Sequence, residues 1–115
     1  MNNWTLEEVA FRCDRLSLRM ERLAQNFLRM GSLSLEGVDA VAVLEIVRES
    51  KVFIELTAID LEVESAFELA QIQRQLSRWH LHWLETWAND SSRREISLLS
   101  QTWANRMREM AGVFV

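Results

Sequence analysis

Apolar residues recur along this chain at alternating spacings of three and four. Leu6, Val9, Cys13, Leu16, Met20, Leu23, Phe27 and Met30 follow that rule without a gap. At 3.6 residues per turn such positions form one stripe, the a/d seam along which helices pack side by side. Thr5 followed by Glu8 reads as a capping box, Trp4 and Val9 sit where a hydrophobic staple would, and Gly31 reads as a left-handed stop. The pattern predicts a helix over about 6–30. Phe11, Leu18 and Leu28 lie off the seam, so this helix is expected to touch more than one neighbour.

Helical spacing resumes at Leu35, Val38, Ala42, Ile46, Phe53 and Leu56. The window from Lys51 to Glu64 is rich in β-branched residues and alternates like a strand, but its phase flips. Ile54, Leu56 and Ala58 fall on one side, Ile59, Leu61 and Val63 on the other. A strand cannot change faces without a turn or bulge, so helix is the better reading. A further seam follows at Leu69, Ile72, Leu76, Trp79 and Trp83. An unbroken helix from Leu35 to Asn89 would be on the order of 80 Å long, too long for a compact fold of this size. Thr57 with Asp60 offers a second capping box, so a bend or break near Leu56 to Asp60 is expected. The competing arrangement is an elongated hairpin whose middle helix is covered by another subunit. Ser92 with Glu95 starts the last helix, Gly112 stops it, and Ile96, Leu99, Trp103, Met107 and Met110 form its stripe. The expected fold is all-α: a single domain over 1–115, a bundle of three long or four helices (about 6–30, 35–56, 60–89 and 93–111) with coiled-coil-like packing.

Composition sharpens this picture. The chain has no proline, no tyrosine and three glycines, which leaves few places to turn. Lone Cys13 cannot form an internal disulfide and suits a reducing compartment. The first residues lack the charged and apolar regions of a signal peptide, and the longest apolar run, Ala40 to Leu44, is far too short to cross a bilayer. A cytoplasmic location with no membrane contact is expected.

Catalytic chemistry is hard to find in the sequence. His80 and His82 stand two residues apart, about 200° around a helix, and cannot share a metal there. The only approach to a di-iron motif is a reversed His82-x-x-Glu85. Cys13 occupies a seam position, where a thiol behaves as a small hydrophobe. No phosphate loop, nucleophile elbow or zinc spacing occurs. No catalytic residue, metal or cofactor is therefore assigned.

Two patterns remain as candidate partner-binding surfaces. Trp79, Trp83 and Trp87 follow at four-residue steps, with Trp103 on the last helix placed to meet them. They form either a tryptophan-rich core or an exposed anchor, because tryptophan is enriched among interface hot spots. Arg12, Arg15, Arg19, Arg22 and Arg29 form a basic ridge at the same three-four spacing, with Asn26 in the missing slot. Residues 32–68 carry nine acids against Arg48 and Lys51, so the ridge is expected to pair with Glu45, Glu49, Glu55 or Glu62 within the protein or its assembly. The pattern favours a non-enzymatic helical interaction protein, an assembly factor, adaptor or chaperone-like regulator that forms a homo-oligomer and binds another protein. A nucleic-acid-binding regulator using the ridge is the alternative, weakened by a net charge of −4 and by the lack of a helix-turn-helix signature. A third possibility is a helical enzyme or ligand-binding bundle using His80, Trp83 and nearby carboxylates.

Overall fold

The computed structural model describes residues 4–114, and among them there are only helices. In chain order these are α1 (Leu6–Cys13), α2 (Leu16–Glu36), α3 (Ala40–Ala58), α4 (Val63–Leu81), α5 (Trp83–Ala88) and α6 (Asp90–Val113). Helices α2, α3, α4 and α6 form an all-α bundle. α3 packs on α2 and α4, α6 returns along α2, and short α1 lies against α3. The Cα radius of gyration is 13.8 Å, against about 13 Å for a compact chain of this length, so the elongated-hairpin arrangement does not apply.

The most extensive helix pair is α2 with α6. Gly31 approaches Ser97 and Ser100, and Phe27 approaches Trp103, which makes the pair antiparallel. Small residues recur every seven positions on both helices: Ser17, Ala24 and Gly31 on α2, Ser97, Ala104 and Ala111 on α6. The same register aligns Ala24 with Ala104 and Ser17 with Ala111. A Cβ on Gly31 would stand 3.3 Å from the Ser100 Cβ and 3.4 Å from the Ser97 carbonyl oxygen, a tight fit that favours glycine at this close approach of the two backbones. Met20, Leu23, Phe27 and Met30 of the seam are fully buried beside this contact, each worth roughly 1.5–3 kcal/mol relative to exposure.

Several boundaries differ from the expected ones. The helix expected over about 6–30 breaks at Asp14 and Arg15, both extended, with ψ of 150° and 158°. The start of α2 already lies opposite the last turn of α6, so residues 6–13 face no α6 backbone. They fold across α3 instead, where Phe11 stacks on Phe53 at 3.8 Å between ring centroids. Leu6, Val9 and Cys13, the upstream part of the seam, are exposed. The capping box of Thr5 and Glu8 is present as read. Gly31 is not a stop. The helix runs on to Glu36, and Gly37 caps it at φ 70°, with the Gly37 and Val38 amides donating to the Ser34 and Leu33 carbonyls.

The second helix starts at Ala40 rather than 35, because Asp39 caps it by accepting from the Ala42 amide at 3.1 Å. The strand-like window is helical as far as Ala58, and the break expected near Leu56 to Asp60 falls between Ala58 and Val63. Thr57 and Asp60 do not form a capping box: Thr57 Oγ1 is buried without a partner, and Asp60 binds Arg19. The third helix is interrupted at His82 (φ −112°, ψ 35°), which divides it into α4 and α5. The last helix begins at Asp90, where Asn89 Oδ1 accepts from the Ser91 and Ser92 amides, in place of a Ser92 cap. Gly112 lies inside α6 with open space around it.

Candidate interaction surface

The tryptophans lead inward. Trp79 and Trp83 are 5% and 8% exposed. The Trp103 ring lies 5.4 Å from Phe27 and 5.5 Å from Trp79, joining α2, α4 and α6 in one aromatic cluster. Trp87 is half-buried 5.5 Å from Trp83, with the Arg93 guanidinium 5.8 Å above its ring and donating to its carbonyl. Beyond the kink at His82, α5 packs on α6, where Trp87 meets Arg93. Trp79 and Trp83 thus present little surface in the monomer, while Trp87 and Trp103 are half-buried.

The arginine ridge is split by the break between α1 and α2. Arg12 stays on α1, with its guanidinium 5.3 Å above the Trp4 ring. Arg15 is the exposed residue at the start of α2. Arg19 is buried and acts as an internal tie. It donates to the Asp14 carbonyl at 2.9 Å, to the Leu56 carbonyl at 3.1 Å and to Asp60 Oδ2 at 2.8 Å. One forked side chain therefore joins the α1–α2 corner, the end of α3 and the α3–α4 turn. Arg22 reaches Glu49 at 3.9 Å and lies over Phe53 at 5.3 Å. Of the four glutamates expected to face the ridge, Glu49 does so, while Glu55 accepts from Gln73.

Sequence reasoning missed one exposed apolar feature. Ile59, Val63 and Phe67, around the α3–α4 turn, are each more than 60% exposed. Val63 and Phe67 are four residues apart and share one face of α4. Val113, also more than 60% exposed, sits at the same end of the bundle, because α6 runs antiparallel beside α4. The available signal was that Phe67 stands off the seam of Leu69, Ile72 and Leu76. The rim carries both signs: Glu62 and Glu64 are exposed beside the patch, and the Arg19–Asp60 tie brings exposed Arg15 to this end.

A cleft of about 540 Å³ opens between α4 and α6, with Ile72 and Trp103 among its lining residues. It is bridged by a two-pronged ion pair in which Arg106 Nε and Nη2 donate to the Glu68 carboxylate at 2.7 and 2.8 Å. The Arg106 hydrogen bond is the main cause that holds the Glu68 carboxyl below its usual range, against a smaller opposing effect of burial. No family model, curated protein or solved structure matches this chain. Among the described residues no three metal-ligating side chains converge, and no helix is long and apolar enough to cross a membrane.

Proposed function

We propose that this protein is a non-enzymatic helical interaction module of the cytoplasm that self-associates through the α3–α4 end of its bundle and, as an assembly, engages another protein. The observation that carries the reading is the exposure of Ile59, Val63 and Phe67, three large apolar side chains around the α3–α4 turn at one end of a well-packed monomer. Exposed apolar clusters of this kind mark interaction sites. Its rim supports a second copy as the occupant. Exposed Glu62 and Glu64 on α4, and exposed Arg15 one turn before the Arg19 that binds Asp60, put charges of both signs at this end for a two-fold contact to pair. The arginine and tryptophan patterns contribute from behind: Arg19 fixes the α3–α4 turn, and the tryptophan cluster holds α4 in place.

Sedimentation or light scattering over a hundredfold dilution tests this. The expected result is a dimer of twice the 13.5 kDa chain mass that dissociates on dilution, and a folded monomer for Phe67→Glu. A monomer at every concentration would sink the proposal. The nucleic-acid alternative has less support, because Arg19 is buried and Arg22 is engaged with Glu49 and Phe53.

A further inference from the structure

On the face where α3 meets α4, Arg48, Lys51 and His80 come together. Arg48 Nε donates to His80 Nε2 at 3.3 Å, and Lys51 Nζ lies 3.3 Å from His80 Nδ1. A neutral imidazole has one N–H and one acceptor nitrogen. If Nε2 accepts from Arg48, Nδ1 carries the hydrogen and points at an ammonium group, donor against donor. Protonating His80 makes this worse, since both nitrogens then donate among two fixed cations. Neither Arg48 nor Lys51 has a carboxylate within 4 Å among the described residues. Arg48 shares a separate small cleft with Glu7, Glu8 and Glu49 but pairs with none of them.

At the donor-against-donor contact the surface opens into a cleft of about 450 Å³ lined by Lys51, Ser77, His80 and Leu81. Ser77 and His80 are one turn apart on α4, and both line this cleft. We infer that this cleft is an oxyanion site for phosphate or a small phosphate monoester, with Lys51 Nζ, His80 Nδ1–H and the Ser77 hydroxyl as its donors and Arg48 behind the ring. An acceptor oxygen seated between Nζ and Nδ1 converts the opposed donors into two charge-assisted hydrogen bonds. The free protein resists protonation of His80, chiefly through burial and then through Lys51 and Arg48. A bound dianion reverses the effect of those two cations, so occupancy and His80 protonation reinforce one another. The site lies away from the apolar end and is independent of self-association.

Imidazole nitrogen NMR of the full chain, titrated with inorganic phosphate at ionic strength held constant with chloride, tests this. His82 is exposed and serves as the internal control. The expected result is that His80 titrates at higher pH in phosphate than in chloride while His82 does not. Phenyl phosphate should act likewise, if the cleft accepts a monoester. Lys51→Gln should weaken phosphate binding about tenfold, the equivalent of one lost charge-assisted bond. Ser77→Ala should weaken it less, and both variants should keep the parent helical circular dichroism. Identical His80 titration in phosphate and chloride would overturn the inference, as would a phosphate response that Lys51→Gln leaves unchanged.

Discussion

At the scale of single residues, what a side chain does here depends on its neighbours more than on its type. Arg19 has the spacing of a surface arginine, yet it satisfies two carbonyls and a carboxylate from inside the fold. Arg19→Met should therefore lower unfolding stability by about 1–3 kcal/mol, the cost of leaving buried acceptors without donors. Arg19→Lys should recover little, because one ammonium cannot span three acceptors in different directions. Urea denaturation checks both, and a loss below about 0.5 kcal/mol, ordinary for a surface substitution, would contradict the assignment. The glycines make the same point. Gly112→Ala should stabilise by about 0.5–1 kcal/mol, since α6 is open there. Gly31→Ala gains the same helix preference but drives a methyl into Ser100, so it should be net destabilising. A double-mutant cycle with Ser100→Gly should show a relieving coupling.

At the scale of elements, α1 and the α4–α6 bridge are the informative cases. A helix of eight residues is marginal on its own, so α1 depends on its docking to α3. Phe11 is its only buried residue, stacked on Phe53. Phe11→Ala should release α1: amide exchange over residues 6–13 becomes fast while the centres of α2 and α6 stay protected. Loss of protection throughout the molecule would instead make α1 part of the cooperative core. The Glu68–Arg106 bridge has good two-pronged geometry, but both side chains are about 42% exposed. A double-mutant cycle should return only about 0–1 kcal/mol, less in high salt.

For the whole molecule, pH dependence integrates these environments. His80 is held below its usual 6.5 by burial and by Lys51 and Arg48, so the unfolded chain binds this proton more readily. Its contribution to stability is fully present above the unfolded chain's value and is lost as pH falls from there through the lower value of the folded state. Glu68 is held below its usual 4.5 by Arg106, so its contribution is lost as pH falls further. The thermal midpoint should decline in two steps on acidification, His80→Gln flattening the upper and Glu68→Gln the lower. A midpoint constant between pH 7.5 and 5.5 in chloride buffer would remove the His80 step.

The helical class, the single run of core positions and the first capping box were legible in the sequence, because they depend on periodicity and local hydrogen bonding. The seam from Met20 to Met30 became the buried face of α2, and the phase flip in residues 51–64 correctly argued against a strand. Breaks were less legible. The chain bends at Asp14 and His82 with no proline or glycine to mark either place, and the contacts that accompany the bends, Phe11 on Phe53 and Trp87 against Arg93, are tertiary. Gly31 and Gly112 read alike as stops because a helix end and a close helix crossing both call for glycine, and only the neighbouring helix distinguishes them. The candidate sites depended on tertiary structure most of all. Which arginine is a tie, which tryptophan is core and which apolar residues stay in water are properties of register between distant helices. The meeting of Lys51 and Ser77 with His80 was equally invisible, because α3 and α4 must pair before a lysine 29 residues away can face that ring.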